Sequence, residues 1–201
     1  MAKLILLRHL QSEWNKANKF TGWTDVALSP LGRAEAPVVA KKILGEKIDQ
    51  VFTSPLIRNK ETTELILENL QLENLPMTVD KALDERNYGE WQGLDKDEVR
   101  AKFGEEEYRA RRRGWDSAPP AGESLRDVFN RAVPFFQNFI EPHLKLDEGV
   151  LIVASHNSLR ALIKYLENIP DEKIADLEIP SGGIVIYNLD ESLKILDKKV
   201  L

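Results

Sequence analysis

Hydrophobic positions along the chain fall into short continuous runs separated by stretches of helical spacing. Leu4 to Leu7 is too brief for a helix of its own and long enough for a strand buried on both faces. Asp49 to Ser54, around Val51 and Phe52, and Val150 to Ala154 read the same way. Ile184 to Leu189 predicts a further strand, and Leu193 to Leu201 a final edge strand. Ser29 and Pro30 have the chemistry of an N-cap and first helical residue, and Ala36, Val39, Ala40, Ile43 and Leu44 continue that helix to Gly45. Pro55 to Arg58 begins a second helix carrying Thr62, Leu65, Ile66 and Leu67. Lys102 to Arg113 predicts one charged helix. Another opens at Glu123-Ser124-Leu125, with Pro134 placed to kink it, and Leu159, Leu162, Ile163 and Leu166 give the last. Strand followed by helix, repeated, predicts an α/β chain: a three-layer α/β/α sandwich around a mostly parallel sheet.

The polar positions concentrate where the buried strands end. The first strand runs directly into Arg8 and His9, with Gln11, Ser12 and Asn15 close behind. The Val150 strand ends in Ser155, His156, Asn157 and Ser158, so the unit of apolar run, His, polar loop and helix occurs twice. Arg58 falls within a turn of the second strand's end. Ligands of open α/β sheets gather at the carboxyl ends of strands, where helix N-termini present N–H groups, and a phosphate suits such a place. Two histidines there could hold opposite sides of one phosphoryl group, His9 as nucleophile and His156 as donor to its oxygens. Taken singly, each of these residues would also suit a solvated strand end or helix face. Glu85 and Arg86, in the glycine-punctuated loop Leu83 to Lys96, would alone suit a surface contact. Beside arginines and a phosphate, the same carboxylate becomes a plausible proton shuttle.

Composition narrows the setting. Two hundred and one residues, 42% of them apolar, suit one compact domain, 1–201, burying about 70% of its unfolded surface. A formal net charge of -5 argues for small anionic ligands rather than nucleic acid. Absence of cysteine excludes disulfides, thiolate catalysis and cysteine metal sites. The apolar run near the N-terminus is too short for a signal peptide or membrane span, so the expectation is a cytoplasmic protein with no membrane partner.

Several motifs carry a family resemblance. RHLQSEWN followed by FTGWTDVALSPLGRAEA, then TSPLIRNKET, LDERNYGEWQGLDK, the Arg112-Arg113 pair before Gly114-Trp115-Asp116, and PPAGESL resemble the phosphoglycerate mutases that depend on 2,3-bisphosphoglycerate, within the histidine phosphatase superfamily. The likeness runs from Lys3 to about Leu196. It implies a phosphoglycerate mutase-like fold with a lid region at about 84–122. It implies interconversion of 3-phosphoglycerate and 2-phosphoglycerate, with His9 phosphorylated, Arg8, Arg58 and His156 neutralising the phosphoryl oxygens, and Glu85 as acid and base. Ser12, Asn15, Thr21, Gly22, Arg86, Tyr88, Lys96, Arg112, Arg113 and Asn157 become the substrate contacts. The implied cofactor is 2,3-bisphosphoglycerate as priming phosphoryl donor, with no metal. The implied partners are a small phosphorylated carboxylate and a second copy of the chain in a homodimer. Two rivals share the scaffold: a phosphatase in which water takes the phosphoryl group from His9, and a binding protein that has lost turnover.

The chain departs from the family's motifs at two sites. Leu10 stands where the family writes Gly after Arg-His, and a Gly needed there for positive φ would make Leu costly. The family's His-Gly-Asn-Ser-Leu-Arg reads Ser155-His156-Asn157-Ser158-Leu159-Arg160 here. Ungapped, Ser155 falls on the His. With one Gly deleted, His156 keeps the role, and the resemblance then assigns the function to His156 rather than Ser155. Asn87 replaces a His after Arg86.

Overall fold

The computed structural model describes residues 1–201. In chain order the elements are β1 (Ala2–Arg8), α1 (Glu13–Lys16), α2 (Pro30–Lys41), β2 (Gln50–Thr53), α3 (Ile57–Leu70), β3 (Met77–Val79), α4 (Lys96–Phe103), α5 (Glu105–Arg113), α6 (Leu125–Phe135), α7 (Glu141–Lys145), β4 (Gly149–Ala154), α8 (His156–Glu167), β5 (Ile184–Leu189) and β6 (Ile195–Val200). They build one six-stranded sheet in the order β3-β2-β4-β1-β5-β6. The first four strands in that order are mutually parallel, and β5 and β6 join antiparallel on the β1 side. No helix is long and apolar enough to cross a membrane.

Side-chain alternation along the central strands sends one set to each face. Leu4, Leu6, Val150 and Ile152 pack with Ala132, Val133, Leu159 and Leu162 of α6 and α8. Ile5, Leu7, Leu151 and Val153 pack with Ala36, Val39 and Ile66 of α2 and α3. Helices therefore cover both faces of the sheet, which explains why Leu4–Leu7 of β1 and Val150–Ala154 of β4 carry no polar position to mark a solvated side.

Local chemistry sets the helix starts. Ser29 accepts from the Gly32 N–H with Pro30 following, and Ser124 and Asp127 form a reciprocal capping box at α6. Pro134, which cannot donate an N–H, lies near the end of α6, and the chain continues through a π-helical turn at Phe136–Ile140. The expected helix over Lys102 to Arg113 is instead two. Gly104, at φ 79°, ends α4 and starts α5, a conformation a side chain would resist. A small aromatic core of Phe20, Tyr88, Trp91 and Tyr108 with Val99 supports these two helices. β3 escaped the hydrophobic pattern because all three of its residues are exposed, and only its pairing with β2 defines it.

Register brings the chemistry to one edge. Arg8 sits opposite Ala154, and Thr53 opposite Val153, so the carboxyl ends of β1, β4 and β2 lie side by side. The residues that follow each strand must share one crevice.

Candidate active site

At that crevice Arg8, His9, Asn15, Thr21, Gly22, Arg58, Glu85, Tyr88, Lys96, Arg112, Arg113 and His156 line a single pocket. Lys19, Phe20 and Glu178 line it too and were not expected. Lys19 and Phe20 directly precede Thr21, so proximity in sequence could have flagged them. Glu178 carried no such signal, being a carboxylate on the turn before β5, far along the chain from the other groups.

His9 is buried, and its Nδ1 lies 2.7 Å from the Leu10 carbonyl oxygen. A carbonyl only accepts, so Nδ1 carries the proton and Nε2 keeps its lone pair. Burial, then Arg58 and Arg8, hold the ring well below the usual histidine range, so it is neutral near pH 7. The arginines are fixed through backbone carbonyls. Arg8 Nη1 donates to Ile179 O at 2.6 Å, while Arg58 Nη2 and Nη1 donate to Gly22 O at 2.7 Å and Thr24 O at 3.1 Å. Gly22 is required where it stands: φ is +57°, and a Cβ there would lie 2.2 Å from Gln92 Oε1.

His156 is the first residue of α8 and turns its ring into the pocket. Its Nε2 lies 3.2 Å from Glu178 Oε1 without the alignment of a hydrogen bond. Burial lowers its pKa to about 3, only partly offset by Glu178. Ser155 is fully buried beside it, its hydroxyl bonded to Asn59 at 3.1 Å, and it does not line the pocket. Of the two alignments, the gapped one describes which side chain reaches the crevice.

Glu85 accepts three hydrogen bonds on Oε1, from the Arg86 N–H at 2.7 Å and from the Asn157 amide and N–H at 2.9 and 3.1 Å. Burial alone would raise this carboxyl. His156, the Arg86 N–H, Arg58 and the Asn157 amide outweigh it and bring it below the ordinary range. Lys96 is lowered to about 8 by burial, Arg112 and Arg8.

Three expected substrate contacts do not line the pocket. Ser12 N-caps α1 in a capping box with Asn15, its hydroxyl accepting from the Asn15 N–H. Asn157 holds Glu85 and also donates to the Tyr88 hydroxyl at 3.0 Å. Arg86 lies over the Tyr88 ring and donates to the Arg112 carbonyl. Arg160 donates to the next carbonyl, Arg113, at 2.7 Å. Two buried guanidinium groups thus terminate α5, where the helix dipole favours cations, and fix the backbone that carries Arg112 and Arg113.

Leu10 does not have positive φ, its N–H donates to Thr62 Oγ1 at 3.1 Å, and its side chain is fully buried with Val39 and Ile184. A larger residue at the family's Gly position is accommodated by the core rather than by the pocket.

The chain is similar to known proteins over nearly its whole length. The model of the histidine phosphatase superfamily (branch 1) matches residues 4–199. A phosphoglycerate mutase of Schizosaccharomyces pombe is 44% identical over 200 residues, covering 98% of this chain and 95% of its own. A 2,3-bisphosphoglycerate-dependent phosphoglycerate mutase of Staphylococcus haemolyticus is 43% identical over 224 residues, covering 98% of both. Among solved structures, a mycobacterial glucosyl-3-phosphoglycerate phosphatase in complex with VO3 superposes with TM-score 0.85 at 26% identity, covering 100% of this chain and 97% of its own. Bacillus stearothermophilus YhfR gives 0.82 at 26%, covering 97% and 94%.

Proposed function

The chain belongs to the histidine phosphatase superfamily, and from that premise we propose that it is a phosphoglycerate mutase, interconverting 3-phosphoglycerate and 2-phosphoglycerate through a phosphohistidine at His9. The single observation that carries this reading is a set of polar atoms without protein hydrogen-bond partners around that ring. Arg8 Nε, Arg58 Nε, Thr21 Oγ1 and His156 Nε2 are all buried and unpartnered, and all belong to residues lining the His9 pocket. Buried donors of this kind are costly unless an acceptor completes them, and a phosphoryl group offers several oxygens at once.

Each residue then has a task. His9 Nε2 attacks phosphorus, its ring oriented by the Leu10 carbonyl. Arg8, Arg58 and His156 take the charge on the phosphoryl oxygens without reorganising, since burial and backbone bonds already fix them. Glu85 is ionised before substrate arrives, and the negative charge of a bound phosphate raises its proton affinity. It can therefore take the proton of the accepting hydroxyl and return it in the reverse step. Arg112 and Arg113, on the proposed lid of about 84–122, and Lys96 hold the substrate's second anionic group. The unpartnered donors and surplus of cations fit 2,3-bisphosphoglycerate, which when bound supplies the phosphoryl group that His9 carries.

The rival with the same scaffold is hydrolysis, suggested by the phosphatase among the structural neighbours. The much closer sequence match to the mutases favours transfer to a second hydroxyl. With 3-phosphoglycerate as substrate, 2-phosphoglycerate formation should exceed phosphate release, and labelled 2,3-bisphosphoglycerate should leave acid-labile, base-stable label that His9→Ala abolishes. Dominant phosphate release, or label unaffected by that change, would overturn the reading.

A further inference from the structure

Glu178 is a carboxylate set among the pocket's own cations. Its Oε2 meets Arg113 Nη1, and its Oε1 lies 3.2 Å from His156 Nε2 and 3.9 Å from Arg8 Nη1. The same two arginines pin the backbone on either side of it, Arg113 through Leu177 O and Arg8 through Ile179 O. We propose that Glu178 is a specificity-determining residue: an internal carboxylate that competes with ligand for Arg8, Arg113 and His156 and sets how much negative charge a ligand must bring to displace it.

The partners differ in freedom. The Arg8, Arg113 and His156 side chains are only 15%, 16% and 11% exposed, whereas Glu178 is 56% exposed. These three partners are held, and the carboxylate has room to swing toward water. An ion pair with one partner so exposed is weakly held, so displacement is accessible to a ligand that offers more charge at the same place. Glu178 cannot share that place, because a phosphoryl oxygen on His156 Nε2 would meet its Oε1 as a like charge. Burial would raise the group, but the neighbouring His156 and then Arg113 outweigh it and hold the carboxyl well below its usual range, so it stays ionised across the neutral range. The outer face of the same pair opens on a second cavity of about 360 Å³, which Arg100, Arg109, Arg112 and Arg113 also line. Arg112, Arg113 and Glu178 thus border both this arginine-lined space and the pocket. Multiply charged ligands gain most from such an arrangement, since a singly charged one only exchanges with the carboxylate already there.

This inference rests on the anion-site reading of the pocket, and inorganic phosphate tests it without requiring mutase turnover. Calorimetric titration of phosphate at neutral pH and low salt should give about tenfold tighter binding to Glu178→Gln than to the wild type, a change of one unpaired charge. Asp176→Asn removes a charge two residues away, where it pairs with Arg109, and should change phosphate affinity by less than about twofold. Equal or weaker binding by Glu178→Gln, or an equal gain from Asp176→Asn, would overturn the role of Glu178 while leaving the anion site standing. Lack of phosphate binding by the wild type would overturn both. In the mutase assay Glu178→Gln should lower KM more than it changes kcat, a split that simple loss of structure would not produce.

Discussion

Nδ1 of His9 donates to the carbonyl oxygen of the very next residue, Leu10, across 2.7 Å. That contact fixes the tautomer with no second side chain, and burial keeps the ring uncharged. The second pocket imidazole is also held neutral, with its pKa near 3.

Neutral buried rings make the fold acid-sensitive. Between about 6.5, where an unfolded histidine titrates, and about 3, where His156 titrates in the fold, the unfolded chain binds more protons. Stability should fall on acidification through this window by up to about 1.4 kcal/mol per pH unit for each such ring. Urea unfolding at pH 7 and pH 5 should show a smaller loss for His156→Gln than for the wild type. Equal losses would contradict the neutral-ring description.

His156→Ala should lower kcat by about a hundredfold or more, the usual effect of removing a donor to a developing oxyanion. Ser155→Ala should leave kcat within a fewfold and cost about 1 kcal/mol of stability through its bond to Asn59. Steady-state kinetics on the two variants decide between them, and a reversed order would return the role to Ser155.

Asn157 acts through Glu85, donating to its Oε1 from the side-chain amide. Asn157→Ala should reduce kcat about tenfold, with KM little changed, and shift the carboxyl's limb of the pH–rate profile upward. A change confined to KM would make Asn157 a substrate ligand instead.

Leu10→Gly should destabilise the fold by about 3 kcal/mol or more, because a fully buried leucine leaves a cavity and the backbone gains no conformation it needs. Chemical denaturation measures this directly. A neutral or stabilising outcome would mean that the Leu10 backbone is strained.

Arg86→Met should raise KM for 3-phosphoglycerate about tenfold by freeing the Arg112 carbonyl at the end of α5. The same substitution should hasten proteolytic cleavage near Gly104 and Gly114. An unchanged KM would remove Arg86 from the support of Arg112 and Arg113.

Which features could be read from residues alone follows from how local their cause is. The strands β1 and β4 were legible because apolar side chains on both faces admit little else, and the start of α2 because Ser29 supplies its own cap. The break at Gly104 was hidden inside a charged run with no apolar period, and β3, exposed throughout, exists only because β2 lies beside it.

The sequence by itself determined a buried parallel core and the His and Arg residues at its strand ends, since burial pattern and residue type are properties of short segments. Tertiary structure alone decided that Asn157, Ser12 and Arg86 face supporting partners rather than the pocket, and that Glu178 stands among its cations. Those outcomes depend on side-chain direction and on contacts between residues as distant as Arg8 and Ile179. Distances of that kind are set by strand register and helix packing, which no single segment encodes.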